Sequence, residues 1–394
     1  MIKRFLIILL CCSTLMSCSH LTRLNQRAII QAIAIDYVPA SNEFNLALLA
    51  FTPEGGGGPT SIDPSQANAK IIYTSGKTQS EALKNATELQ GKQLFLGDNR
   101  LVIIGHDAAK TKLREILSFF NNNPHTRTDV AFVTTVNLAQ DIIQLPLSQG
   151  LTPVDVFTNL LENTKIHGKG ISSKLLDVSQ AEISETLSSA LPVIEINQTP
   201  TLSTVTTANQ DEQIEPLSKL KLNGSAVFKE GKLVGFLNES DSRGLSFIRN
   251  QLTQTVYSDT TDVITNGTFL LYKSQTKLSL SHTDPLTISI KIKPKASILE
   301  IDKVDGVEHL SDEDLQTLTA KIEKQIYYDC FAVIHKALHV YGTDLFHFGD
   351  TIWKQDPALY KTLKPNYDTI LKTLKFEIDV DINLNRQGLE KVYE

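Results

Sequence analysis

Hydrophobic and polar positions along this 394-residue chain switch repeatedly between a period of two and a helical period, and each switch marks an element. Near the start, Ile33-Ala34-Ile35-Asp36 and Phe44-Asn45-Leu46-Ala47-Leu48 flank the polar turn Pro39-Ala40-Ser41-Asn42, which predicts two joined strands. The stretch over residues 78–91 has a capping residue at Thr78 or Ser80, apolar positions at Ala82, Leu83, Ala86 and Leu89, and a terminal Gly91. It predicts a short amphipathic helix. Residues 100–105 read as a buried strand, 107–120 as a second helix ending in the Asn-rich turn before Pro124, and 129–136 as another strand.

Residues 197–218 are polar, rich in Thr, Gln and Pro, and without period, as in a linker or long exposed loop. Beyond them, Leu222-Asn-Gly-Ser-Ala-Val-Phe228 and Leu233-Val-Gly-Phe-Leu237 flank the turn 229–232, a hairpin signal, and a helix is expected over 241–252. Alternation is strict at 277–282 and 286–293, where Leu286, Ile288, Ile290 and Ile292 oppose Thr287, Ser289, Lys291 and Lys293. A long helix is predicted over 312–341, with Ser311 as cap, Asp314 three residues on, and Gly342 after its end. Leu315, Leu318, Ile322, Ile326, Cys330, Val333 and Leu338 form its stripe, and at ~1.5 Å per residue the rod is about 45 Å long. The last alternation sets Phe376, Ile378, Val380, Ile382 and Leu384 against Glu377, Asp379, Asp381, Asn383 and Asn385. This mixture indicates an α+β protein. We divide it into a signal peptide (1–17), an N-terminal α+β domain (18–196), a middle domain (197–275) and a C-terminal α+β domain (276–394). Each of the three domains is expected to pair mixed or antiparallel sheet with packed helices.

The first residues change the picture most. Lys3 and Arg4 precede an apolar run from Phe5 to Cys12, followed by small and polar residues, the order of a secretory signal peptide. The run is far shorter than the roughly 20 residues a helix needs to cross a bilayer. Leu15-Met16-Ser17-Cys18 resembles the bacterial lipobox, whose Cys receives a diacylglycerol before cleavage, so Cys18 is the expected lipidation site. Two acyl chains give stable anchoring. The chain has Cys11, Cys12, Cys18 and Cys330; with the signal removed and Cys18 acylated, no internal disulfide can form. Cys330, on the predicted helix, reads as a small buried apolar residue. Removing the signal takes away Lys3 and Arg4 and moves the formal charge from −6 to −8, which gives no electrostatic case for nucleic acid.

Candidate chemistry is sparse. His335 and His339 stand four apart on the long helix, the spacing that puts two imidazoles on one face for a metal, with His347 near in sequence. The intervening residues Lys336, Ala337 and Leu338 supply no Glu as general base, so we read a solvated helix face and expect no metal. Glu377, Asp379 and Asp381 share a strand face but lack a calcium loop and a facing second element; they read as the wet face of a sheet. Gly55 to Gly58 run into Pro59-Thr60 rather than Gly-Lys-Ser or Gly-Lys-Thr, so no phosphate loop is indicated. No Gly-x-Ser-x-Gly elbow occurs. We expect no enzyme, no cofactor and no catalytic residue.

With these pieces placed, the chain resembles the GerC family of spore germination lipoproteins, the C subunits of nutrient germinant receptors in endospore-forming bacteria. The resemblance runs through nearly the whole mature chain. It starts in Leu24-Asn-Gln-Arg-Ala-Ile-Ile-Gln-Ala-Ile-Ala-Ile-Asp36, the helix after Gly76-Lys-Thr78, Gly91-Lys-Gln-Leu-Phe-Leu-Gly97 and the strand to Gly105. It continues in Gly224-Ser-Ala-Val-Phe-Lys229, Gly231-Lys-Leu-Val-Gly235, Ser242-Arg-Gly-Leu245, Thr343-Asp-Leu-Phe-His-Phe-Gly349, Pro357 and Arg386-Gln-Gly388. The chain departs from the family at Ser19, Tyr360 and Tyr367, where Trp is common, and at Ala34, where Gly is usual. The resemblance implies a three-domain α+β protein at the outer surface of the spore's inner membrane, acting with a multispanning A subunit and a transporter-like B subunit. Only Cys18 carries over as a chemically defined position. The competing reading is a substrate-binding lipoprotein of a transporter, which requires two lobes of similar topology around a cleft; the sequence shows no internal duplication.

Overall fold

The computed structural model describes residues 26–51, 69–145, 153–184, 188–196, 220–307 and 309–385. Cys18, the glycine run 55–58, the stretch 197–218 and Arg386 to Gly388 lie outside the described residues. Two sheets organise the described residues. The first is built on β1 (Arg27–Val38), which turns through residues 39–42 into β2 (Glu43–Phe51), continued antiparallel by β3 (Ala69–Gly76). Asn42 takes the turn's positive φ of 54°, a conformation Asn tolerates better than most residues. On its other side β1 runs parallel to the short β4 (Gln93–Phe95) and to β5 (Leu101–Ile104), which pairs in parallel with β6 (Ala131–Thr134).

Parallel strands need both faces covered, and all four residues of β5 are buried. One face is covered by α1 (Gln79–Gln90), α2 (His106–Thr111), α3 (Leu113–Asn122) and α6 (Leu175–Ile183). The other is covered by α4 (Ala139–Ile143) and α5 (Pro153–His167). The α1 helix begins and ends as its local chemistry dictates, with the Thr78 hydroxyl accepting the Glu81 N–H and Gly91 in the left-handed region. The single helix expected over 107–120 is instead two, because Lys112 leaves helical geometry at φ −117°, ψ 7°.

The sheet is completed by β7 (Ser189–Ile196), β8 (Leu220–Lys229) and β9 (Lys232–Leu237). The β8–β9 hairpin turns through Glu230 and Gly231, both at positive φ, the backbone a two-residue hairpin favours. The middle stretch 197–275 therefore has no sheet of its own among the described residues. Its hairpin finds an antiparallel partner in β7, and its last strands join the second sheet.

That second sheet contains β10 (Gln254–Asp259), β11 (Ile264–Thr283), β12 (Leu286–Lys303), β13 (Lys375–Val380) and β14 (Asn383–Asn385). The two short strands expected at 277–282 and 286–293 are the distal ends of a 20-residue and an 18-residue strand. Register shifts interrupt their pairing, one of them between Tyr272 and Gln275, where Lys273 takes a positive φ. Each such bulge inserts a residue and reverses which face the next side chain meets. Strict alternation thus survives only between bulges, which is where the sequence displays it.

Between the sheets runs α7 (Glu239–Ile248), and across the second sheet lies α8 (Asp312–His335). Ser311 and Asp314 form the expected capping box, and the whole expected stripe from Leu315 to Leu338 is buried. The last expected turns, Lys336–Tyr341, wind as π-helix before Gly342 at φ 62°. Three short helices follow, α9 (Phe348–Gln355), α10 (Pro357–Leu363) and α11 (Tyr367–Leu371), before the chain returns as β13, parallel to β12. Ile288, Ile290 and Ile292 meet α8 in one core, while Lys291 and Lys293 stay exposed on the opposite face. Among the described residues no helix is long and apolar enough to cross a membrane.

Candidate functional site

The residues singled out for chemistry stay apart or solvated. His335 and His339 are exposed, with ring centroids 4.9 Å apart. Phe331 stacks on His335, and Tyr327 on Phe331, so the pair extends an aromatic ladder at helical spacing. His347 faces Asp350 through Nδ1 at 3.2 Å. Among the described residues no three His, Cys, Asp or Glu side chains gather as metal ligands. Glu377 and Asp379 project from the wet face of β13, and Asp381 just beyond it pairs with Lys293 at 2.8 Å. Cys330 is fully buried with Sγ toward Gly244 O, and burial pushes its thiol well up. A thiol so placed is inert.

What the fold brings together instead is a junction between the two sheets, assembled from short glycine- and serine-bearing segments. Gly224 takes φ 74°, and a Cβ there would lie 1.9 Å from Leu237 O. The next residue, Ser225, is buried; its hydroxyl accepts the Ile171 N–H at 3.3 Å and the Ser242 O–H at 3.1 Å. Arg243 donates from Nε and Nη2 to Asp329 Oδ2, each at 2.8 Å, and its guanidinium lies 4.5 Å from the ring centre of Tyr257. Tyr257 donates its own O–H to the same carboxylate oxygen at 2.5 Å. Burial, with Asp329 close by, pushes that phenol well up, so it stays a donor. Gly244 lets α7 touch α8 backbone to backbone, since a Cβ there would stand 2.4 Å from Asp329 O.

The hairpin β8–β9 docks on the same junction. Tyr341, from the π turn, donates to Phe236 O at 2.8 Å and accepts the Phe236 N–H at 3.2 Å. A Cβ on Gly235 would meet the Tyr341 ring at 2.3 Å. Lys229 Nζ bonds Gly342 O at 2.8 Å and Asp368 at 2.9 Å. Just beyond, buried Asp344 accepts N–H groups from Phe346, Phe348 and Gly349 and the O–H of Tyr367. A second buried carboxylate closes the N-terminal part: Asp36, at the end of β1, accepts the Ala139 and Gln140 N–H groups at the start of α4. Burial raises its pKa and those two hydrogen bonds pull it back. Gly105 leaves it room, as a Cβ there would fall 1.9 Å from Asp36 Oδ1.

A polar cleft of about 520 Å³ opens beside this junction, lined by Arg114, Glu182, Lys229, Lys364 and Asp368 among others. Four of its charges are paired: Arg114 with Glu182 at 3.3 Å and Lys229 with Asp368 at 2.9 Å. Burial raises Glu182 and Arg114 opposes the rise. The arrangement is suited to holding two bodies in a fixed relation. The resemblance located the segments Gly224-Ser225, Gly231 to Gly235, Ser242 to Leu245 and Thr343 to Gly349, and marked Tyr367 only as a departure; it did not locate the partners Asp329 and Tyr341, which carry no local signal.

Comparison with known proteins assigns the chain. Residues 21–196 match the family described as spore germination protein N-terminal domain, and residues 223–388 match the family described as spore germination B3/GerAC like, C-terminal. Spore germination protein KC of Bacillus subtilis is 24% identical over 97% of this chain and 95% of its own length. Spore germination protein GerQC of Bacillus cereus is 21% identical over 98% and 99%. Spore germination protein B3 of Bacillus subtilis is 30% identical over 43% of this chain. The crystal structure of the GerBC protein superposes with a TM-score of 0.54 at 18% identity, covering 89% of this chain and 96% of that one. The chain belongs to the GerC family of spore germination proteins.

Proposed function

We propose that this protein is a lipid-anchored, non-catalytic C subunit of a spore germinant receptor, required for the response of dormant spores to nutrients. The observation that carries this reading is the collinear match of both family halves along almost the whole chain. The packed junction, whose charges and glycines are used for internal docking, supports a role through surfaces rather than a reactive centre. Diacylglycerol on Cys18 would hold the protein at the outer face of the spore's inner membrane, beside the A and B membrane subunits. Two acyl chains supply stable anchoring, and no described helix supplies a span.

Cys18→Ala should lose its acyl label and leave the membrane fraction, measured by fractionation of the expressed full chain. Retention in that fraction would mean that protein partners hold it there. Deleting the gene should abolish germination in response to at least one nutrient. Normal germination to every nutrient, in a strain with no redundant receptor, would sink the proposal. Calorimetric titration with amino acids and sugars separates a direct nutrient binder from a scaffold.

A further inference from the structure

Arg249 differs from the other cations of the junction. It follows α7 directly, closing that helix with its backbone N–H on Leu245 O at 2.9 Å, and burial pulls its guanidinium below the ordinary arginine range. Arg243 and Lys336 each rest on a carboxylate at 2.8 Å. Among the described residues, the Arg249 side chain has no carboxylate at ion-pairing distance and no hydrogen-bond acceptor. The two carboxylates nearest in influence are Asp177 and Asp344, and neither forms an ion pair with Arg249 among the described residues. Asp177 accepts the Lys174 N–H at 3.2 Å, and Asp344 is surrounded by its own four donors. The side chain keeps some exposure and a guanidinium does not shed its proton. Water therefore solvates it in the free protein, and a ligand that displaces this water has to supply the acceptor.

The side chain lines a cavity of about 50 Å³ whose walls come from both sides of the junction. Ser173, Ser188 and Ser189 come from the first sheet and its flank, Arg249 and His347 from the other side. The Ser189 hydroxyl is spent on Glu182 at 3.3 Å. Those of Ser173 and Ser188 make no hydrogen bond among the described residues. Arg249 and two serines whose hydroxyls are uncommitted therefore line a space for roughly two to four heavy atoms. Exposed Asp177 and Gln180 flank it toward solvent.

We propose that this cavity binds a small carboxylate, held two-pronged by Arg249 and completed by the hydroxyls of Ser173 and Ser188. Guanidinium and carboxylate match in plane and spacing, and the bound anion would bridge the two sides of the junction. The test is calorimetric titration of the purified full chain with sodium formate, sodium acetate and inorganic phosphate, in a bulky sulfonate buffer at constant ionic strength. Saturable one-to-one binding of formate or acetate is expected, at least tenfold weaker in Arg249→Gln. The double variant Ser173→Ala, Ser188→Ala keeps the cation and should weaken binding several-fold. It decides the matter if Arg249→Gln fails to fold, since undiminished binding there removes the hydroxyls from the site and overturns the proposal. Heats no different from dilution, binding undiminished in Arg249→Gln, or a response to phosphate alone would each overturn it as well.

Discussion

Replacing Asp344 with Ala should cost the fold about 3–5 kcal/mol, because it strands four donors in a buried place. Its Oδ1 accepts N–H groups from Phe346 and Phe348, and its Oδ2 accepts Gly349 N–H at 2.9 Å and the Tyr367 O–H at 2.8 Å. Asp344 itself is 1% exposed, so water reaches these groups only if the loop opens. The backbone oxygen of Asp344 also accepts the Ser188 N–H at 3.0 Å, so an opened loop loosens the first sheet's hold on the C-terminal part. Asp344→Asn separates shape from chemistry. Whichever way the amide turns, its NH₂ faces donors, so Asn should recover only part of the loss. Tyr367→Phe removes one donor and leaves the carboxylate three, and should cost about 1 kcal/mol. Urea unfolding midpoints of the three variants, at an unchanged slope, check the order Ala, then Asn, then Phe; an Asn variant as stable as the parent would refute the account.

Gly244→Ala should destabilise by about 2–3 kcal/mol, despite the better helix propensity of Ala. The added Cβ would meet the backbone of α8, at 2.4 Å from Asp329 O and 2.9 Å from Cys330 N, and backbone cannot rotate away. Separating the helices would also stretch the Arg243–Asp329 pair and the Tyr257 bond to the same oxygen. A second signature follows: in the Gly244→Ala background, Arg243→Ala should cost clearly less than in the parent, because the pair is already strained. Thermal or urea unfolding of the four proteins in this cycle measures it. Full additivity would mean that the glycine and the ion pair act independently.

These two sites show where sequence reasoning reached and where it stopped. The Thr78 and Gly91 ends of α1, the Ser311–Asp314 box of α8, the turn at Asn42 and the Glu230-Gly231 hairpin are all legible, because donor and acceptor lie within a few residues. Asp329 looks like any surface aspartate in the sequence, and the resemblance marked the segment that holds Asp344 without its role. Their roles depend on donors supplied by Tyr367, by Tyr257 and by Arg243, the last 86 positions from Asp329. Family resemblance marked the segment Ser242 to Leu245 without saying what it touches. Arg249 had no signal at all, since a lone Arg at a helix end reads as solvated until burial is known.

By itself the sequence determined the α+β class, the buried stripe of α8, the half-buried faces of β12 and β13, and the family to which the chain belongs. Periodicity and caps are local, so short-range chemistry fixes them. Only the tertiary structure decided that the hairpin at 220–237 completes the first sheet, that bulges extend β11 and β12 well beyond their visible alternation, and that the glycines at 224, 235 and 244 are points of close approach. Each of those outcomes depends on a partner distant along the chain, and on backbone contact that leaves no periodic trace in the residues themselves.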